Sequence, residues 1–257
     1  MLNKGMINYQ VIRSSTISEN QVFDFLEVFN KVFDDNKDVS WFKWKYNDNI
    51  YGDSFIIIAY DDTIPIGIRS FWRNDIEGKE CYQPCDTALF EDYRKMGIFP
   101  EMSRLALEET NEAYIYNFPN ENSTRGNIKM GWEEYDTWYL SFCTSKDKLK
   151  KESSKIDDEY LNWRFSSNPN RNYYYIEYKG EFYLLYGRSK WMYYVLGRIS
   201  KEQTHKFRKI NMGLIFQYRN KESLTYKLLK RKSTIYVYNK KDKKVDFKIP
   251  MNKADFF

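Results

Sequence analysis

Asp86 is the one carboxylate within an apolar stretch, residues 81–90, and a basic turn containing a glycine follows it. Such a stretch predicts a buried strand, and the apolar spacing after Gly97 predicts a helix. The first turn of a helix has backbone N–H groups without intrahelical partners, and its dipole favours negative charge. Arg94 and Lys95 add two positive charges, and Gly97 permits a close approach of the backbone to a ligand. This order predicts a site for a phosphate chain, although the same residues also suit an ordinary turn with a solvated Arg-Lys pair.

The elements around this stretch predict an α/β chain with a mixed sheet over residues 1–143. Residues 9–12 read as a strand, Ser18 as the cap of a helix, and residues 41–46 as a second helical piece. Residues 55–60 and 64–72 read as a hairpin, followed by strands at 113–118 and 132–142 with a short helix at 122–130 between them. The first helix is predicted to bury an apolar stripe formed by Val22, Phe23, Leu26, Phe29 and Phe33.

The order β-α-α-β-β-β-α-β-α-β, together with the pattern R-x-x-G-x-F that begins at Arg94, resembles the GNAT superfamily of acyl-coenzyme A acyltransferases. The resemblance implies a GNAT fold for residues 1–145 and acetyl-CoA as co-substrate. In that family the last position of the pattern is Gly or Ala, where this chain has Phe99. By resemblance, the coenzyme pyrophosphate would lie against six consecutive residues: Arg94, Lys95, Met96, Gly97, Ile98 and Phe99.

The same resemblance implies further coenzyme contacts and a missing acid. A backbone N–H of the central strand meets the thioester oxygen in the family, which implies that the coenzyme would lie beside Thr87, Ala88 and Leu89. An asparagine after the fifth strand contacts the coenzyme arm, and its counterpart here is Asn120, with Asn122 as a nearby alternative. The tyrosine that the family often uses as general acid is replaced by Asn127, and an amide cannot release a proton.

Acyl transfer also needs a base, an acid and polar groups that hold the acceptor. Asp86 is a candidate base, because burial makes a carboxylate a better proton acceptor, and it is equally a candidate hydrogen-bond acceptor between strands. Tyr116, Tyr135, Tyr139 or solvent could replace the acid, and we take Tyr135 as the candidate. Gln83 and Arg73 are candidate acceptor-binding groups.

Charge divides the chain into two parts. Residues 1–150 carry 17 Lys+Arg and 25 Asp+Glu, whereas residues 151–257 carry 24 and 11. We expect a second domain at residues 146–257, whose positive potential suits an anionic partner or simply forms a basic face. The hexapeptide at Trp163 resembles the one at Trp44, and similar predicted elements follow each. The second half therefore reads as a shorter, degenerate GNAT-like domain that completes the acceptor cleft.

The sequence thus predicts an acetyl-CoA-dependent N-acetyltransferase acting on a small or sugar-like amine. Its motif strings resemble a bacterial subgroup associated with amino-sugar and surface-polysaccharide pathways. The alternative is a non-catalytic GNAT-fold protein that binds an anionic partner, and nucleic acid is the least favoured partner. One histidine and the lack of an Asp-x-Asp-x-Asp cluster argue against a metal. Three cysteines and the lack of a long apolar run favour a cytoplasmic protein without a membrane span.

Overall fold

The computed structural model describes residues 6–143, 155–222, 224–239 and 244–256, apart from the side chain of Asn122. The chain divides into two compact units. Unit 1 contains Met1–Glu133 and Val237–Asp246, and unit 2 contains Glu134–Tyr236 and Phe247–Phe257. The domain boundary expected between residues 145 and 146 lies outside the described residues. In the described part of the chain, no helix is long and apolar enough to cross a membrane.

Unit 1 is built on a mixed sheet. Its strands, each hydrogen-bonded to the next in this order, are β1 (Ile7–Arg13), β2 (Phe55–Asp61), β3 (Ile64–Arg73), β4 (Cys81–Leu89) and β5 (Tyr114–Asn117). The first four are antiparallel, and β2 is buried along its whole length. The parallel ladder between β4 and β5 joins Cys81 to Tyr114 and Tyr82 to Ile115, at the beginning of both strands. No later pair joins the two strands in the described residues.

The α-helices in the described part of unit 1 are α1 (Glu19–Phe33), α2 (Val39–Phe42), α3 (Ile98–Glu109) and α4 (Glu121–Lys129). Ser18 and Gln21 form a capping box at the start of α1. The predicted apolar stripe of α1 was wrong at two positions, because Phe23 and Phe33 are 57% and 47% exposed. The helix instead buries Val22, Phe25, Leu26, Val28 and Phe29. Phe23 lies about 200° around the helix from Phe25, since each residue advances by about 100°.

Unit 2 also contains a mixed sheet, and the order of its strands differs from their order in the chain. The strands, numbered along the chain, are β6 (Glu133–Phe142), β7 (Tyr173–Tyr178), β8 (Glu181–Ser189), β9 (Met192–Ile199), β10 (Arg208–Lys209), β11 (Leu214–Arg219) and β12 (Lys232–Tyr238). Their order in the sheet is β12-β6-β11-β9-β8-β7-β10. The β7-β8-β9 run is antiparallel, whereas β11 pairs in parallel with β9. The described residues of this unit also form the short helices α5 (Asp158–Leu161) and α6 (Leu224–Leu229).

The sequence of residues 201–210, which is rich in basic residues, favours a helix, but the structure does not form a continuous helix there. A 3-10 turn (Glu202–Lys206) is followed by β10, which pairs with β7. Ile210 explains the difference, because its N–H donates to the carbonyl of Tyr175 and its side chain is buried in an apolar cluster with Ile176 and Tyr183. Pairing with the sheet edge therefore prevails over the helical preference of the lysines.

The two units share one unusual local structure. In unit 1, α2 runs directly into a π-helical turn, Lys43–Asn47, and in unit 2, α5 runs directly into the π-helical turn Asn162–Ser166. The α-helix begins at residue 39 in unit 1 and at residue 158 in unit 2, and the π-helical turn begins at residues 43 and 162, so both elements keep the same separation along the chain. The repeated hexapeptide seen in the sequence thus occupies the same local structure twice.

The burial pattern of α1 predicts unequal effects for two phenylalanines. Phe25→Ala removes a fully buried ring and should lower the free energy of unfolding by about 3–5 kcal/mol. Phe23→Ala removes an exposed ring and should change it by less than about 0.5 kcal/mol. Urea unfolding of both variants measures the difference, and equal losses would contradict the observed orientation of the helix.

Candidate functional site

The ladder between β3 and β4 contains a β-bulge, in which Arg69 of β3 stands opposite both Asp86 and Thr87 of β4. Asp86 has a φ of 46°, in the left-handed region that residues other than glycine seldom adopt. A bulge inserts an extra residue and bends the strand, so that side chains leave the regular alternation. The candidate base and its neighbour are therefore presented by an irregular segment of the central strand.

Asp86 is anchored by two buried donors from the π-helical turn. The Nζ of Lys45 lies 2.8 Å from Oδ2 of Asp86, and the hydroxyl of Tyr46 donates to the same oxygen. Both charged side chains are almost fully buried. Burial, reinforced by the charge of Asp86, raises the pKa of Tyr46 well above its ordinary value, so Tyr46 remains a donor. These contacts suit the acceptor role considered for Asp86, and its role as a base stays a prediction.

Aromatic rings surround the ammonium group of Lys45. Its Nζ lies 5.4 Å from the ring centroid of Trp41, 5.6 Å from that of Tyr46 and 5.5 Å from that of Trp72. The indole N–H of Trp72 donates to the backbone carbonyl of Lys45 at 3.1 Å. Cation–π contacts and this hydrogen bond hold the cation where it meets Asp86.

The basic turn after β4 leads into the first turn of α3. Gly97 precedes the helix with a φ of 80°, and a Cβ at this position would meet no atom within 4 Å. Arg94 is exposed, and its Nε donates to the carbonyl of Leu89 at 3.4 Å. Lys95 is also exposed, whereas Pro100 lacks an N–H in this turn. The turn thus offers an open backbone and two exposed cations to an anion.

Phe99 fills the space beside this turn. Its ring lies 4.6 Å from the guanidinium of Arg69, and a Cβ on Gly126 of α4 would come within 3.1 Å of its Cε1. The ring is therefore placed between β3 and α4. The position that carries Gly or Ala in the GNAT pattern here carries a side chain that occupies volume next to the helix terminus.

Arg69 lies beside the candidate site and was not among the residues predicted from the sequence. Its side chain is 2% exposed, and its Nη1 donates to Oγ1 of Thr87 at 2.9 Å. Burial lowers its pKa to about 10, which leaves it charged at neutral pH. The signal available in the sequence was an arginine in the middle of the apolar run of β3.

The other predicted site residues of unit 1 differ in burial and in their contacts. Ala88, Ile98 and Gln83 are buried, and Leu89 is half-buried, whereas Met96 is exposed. Arg73 is held by Asp75, whose two carboxylate oxygens accept from Nε and Nη2 at 2.7 and 3.1 Å. Asn120 caps α4, where its Oδ1 accepts from the N–H of Ser123 at 2.9 Å. Asn122 lies in α4, and its side chain is outside the described part.

The candidate general acids have quite different surroundings. Tyr135 lies in unit 2, and its hydroxyl donates to the carbonyl of Phe247 at 2.6 Å. In unit 1, buried Tyr116 donates to the carbonyl of Asn74 at 3.3 Å. Asn127 is fully buried, and neither atom of its amide has a hydrogen-bond partner among the described residues. The catalytic role of Tyr135 stays a prediction.

The mixed sheet, the bulged fourth strand and the helices that follow it constitute the GNAT fold, which confirms the predicted fold class. A structure of a GCN5-related N-acetyltransferase from Kribbella flavida aligns with 90% of this chain and 71% of its own, at 11% identity and a TM-score of 0.56. A protein of unknown function from Enterococcus faecalis V583, described as a probable N-acyltransferase, aligns with 90% of this chain and 72% of its own, at 10% identity and a TM-score of 0.54. Likeness at this identity establishes the fold alone.

No family model matches the chain, and no curated protein matches it. Because 90% of the chain exceeds the share of either unit, both structural alignments include residues from unit 1 and unit 2. The likeness of fold is therefore not limited to the part that resembles a GNAT domain in sequence.

The Lys45–Asp86 pair predicts an asymmetric response to mutation. Lys45→Met leaves a buried carboxylate without its cation and should lower the free energy of unfolding by about 3–5 kcal/mol. Adding Asp86→Asn should recover part of that loss, because no buried charge is then left uncompensated. Lys43→Met, at an exposed position of the same π-helical turn, is the matched control and should unfold like the wild type. Additive losses in the double variant would contradict a buried pair.

Proposed function

We propose that the protein transfers an acetyl group from acetyl-CoA to the amine of a small acceptor. The observation that carries this proposal is the continuity of the bulged strand β4, the basic turn and the open start of α3 within a GNAT fold. Arg94, Lys95 and the first N–H groups of α3 would hold the coenzyme pyrophosphate. Gly97 fits this role, since no atom approaches the space above it.

The coenzyme would supply an activated thioester. The acceptor nitrogen forms a bond with the acyl carbon, the carbon–sulfur bond breaks, and the leaving thiolate takes up a proton while the nitrogen loses one. Backbone N–H groups of Thr87, Ala88 and Leu89 are the candidates for binding the thioester oxygen. Asp86 is the candidate base and Tyr135 the candidate acid, and both assignments remain part of the proposal.

A sugar-like amine is our proposal for the acceptor, and it rests on the resemblance of the sequence to a bacterial subgroup. Arg73 and Gln83 are candidate contacts for its polar groups. We also propose that unit 2 is a second, degenerate GNAT-like domain. The π-helical turn that recurs at Asn162–Ser166 supports this proposal, and the basic composition of residues 151–257 suits an anionic acceptor.

A non-catalytic binding protein is the second candidate. Phe99 occupies volume where GNAT proteins usually carry a small residue, and Asn127 is a buried amide where they often carry an acid. Both differences favour a protein that has kept the fold without the transfer reaction. Measurements of coenzyme binding and of free thiol release distinguish the two candidate functions, because only the transferase should release thiol when an amine is present.

Reversing the charge of the basic turn should weaken coenzyme binding. In calorimetric titrations with acetyl-CoA, Arg94→Glu should lose about tenfold or more in affinity, because it places a negative charge beside the pyrophosphate. Arg104→Glu is the control, since Arg104 is exposed on α3 and pairs with Glu101 and Glu108 of the same helix.

A second assay then addresses the acceptor. Wild-type protein should release free thiol from acetyl-CoA when amino sugars are present, and Arg94→Glu should not. If the wild type binds no acetyl-CoA at millimolar concentration, the acetyltransferase proposal fails. If it binds acetyl-CoA but releases no thiol with any amine, the binding protein is the better description.

A further inference from the structure

Two arginines on β3 differ in how their side chains are neutralised. Arg73 presents the edge formed by its Nε and Nη2 to Asp75, which accepts with both carboxylate oxygens. Arg69, four residues earlier, is more deeply buried, and its Nη1 donates to Thr87. Its Nε and Nη2 are also buried, and neither has a hydrogen-bond partner among the described residues. The edge that holds a carboxylate in Arg73 is thus unpartnered in Arg69.

An unpartnered guanidinium edge in a buried position is costly. Buried donors are nearly always hydrogen-bonded, and a buried charge is ordinarily paired with an opposite one. The rings of Phe99 and Phe71 lie over the guanidinium at 4.6 and 5.5 Å, but a ring face offers no acceptor to an N–H at the edge of the group. A bound ion or ligand is one of the groups that complete such an edge in proteins.

We propose that the Nε–Nη2 edge of Arg69 binds an anionic group with two oxygens, a carboxylate or a phosphate, carried by a ligand of this protein. The fixed planar fork of arginine matches such a group with two parallel hydrogen bonds. The site has a second contributor, because Phe99, which covers Arg69, is in the first turn of α3, where the helix dipole favours negative charge.

This site deepens the proposed function and rests on it, because its anion would be carried by the acyl-coenzyme A itself. Its anion has two possible sources. The first is a carboxylate at the far end of the transferred acyl group, as in a succinyl thioester. The second is a phosphate of the coenzyme. Thr87 is a candidate neighbour of the thioester, and it is also the partner of Arg69.

The test begins with small anions at constant ionic strength. Thermal unfolding of the wild type is measured with acetate, succinate and inorganic phosphate, beside Arg69→Met. Each of these anions should raise the midpoint of the wild type, and the variant should need an anion concentration about tenfold higher or more for the same shift. If Arg69→Met does not fold, Arg69→Lys replaces it, since it keeps the charge but loses the fork.

Titrations with coenzyme A, acetyl-CoA and succinyl-CoA then identify the source of the anion. A carboxylate site predicts that succinyl-CoA binds the wild type about tenfold tighter than acetyl-CoA, and that this preference disappears in the variant. A phosphate site predicts that the variant weakens all three ligands equally. If the variants respond to every anion and coenzyme as the wild type does, the proposed site is wrong.

The variant Arg94→Glu distinguishes a failure of the anion site from a failure of the proposed function. It should weaken the binding of acetyl-CoA but leave the response to succinate unchanged, because Arg69 is intact. If Arg94→Glu binds acetyl-CoA normally while Arg69→Met loses the response to anions, the coenzyme does not lie against the basic turn, and the anion site stands.

Discussion

The buried ion pair between Lys45 and Asp86 is the interaction on which the candidate site of unit 1 depends. Asp86 adopts a left-handed backbone conformation that costs free energy in an ordinary residue. Charge-assisted hydrogen bonds from Lys45 and Tyr46 offset that cost and hold the bulge of β4 in place. Because the bulge is held there, Thr87 meets Arg69, and the strand continues into the basic turn before α3. A carboxylate that looks catalytic in the sequence therefore also shapes the strand around it.

The residues at the start of α3 have opposite effects on the space available to a ligand. Gly97 and the exposed cations of the basic turn leave room for a phosphate chain, whereas the ring of Phe99 reduces the space between β3 and α4. The ring contributes a favourable surface to the guanidinium of Arg69, and it also restricts access to that group. The size of this one side chain is thus a determinant of which ligands reach the buried charge.

Local patterns in the sequence were sufficient to predict the fold class. The features that they did not predict depend on contacts between residues far apart in the chain. The strand at residues 81–90, the turn and the helix after Gly97 follow from apolar periodicity and from glycine. The bulge does not, because it arises from the register between β3 and β4 and from a lysine 41 residues away. Arg69 was overlooked for the same reason, since its environment depends on Thr87 and Phe99. Phe23 was misplaced because a string of apolar residues does not indicate which part of the helix faces the sheet.

The π-helical turn occurs in both units, and its buried cation has a different partner in each. At the positions of Lys45 and Asp86, a buried cation meets a carboxylate, whereas in unit 2 the matching Arg164 donates to the backbone carbonyls of Ala254 and Asp255. The cation is present in both turns, but the group that receives it is not the same. The local shape of this turn therefore does not depend on which acceptor its buried cation meets.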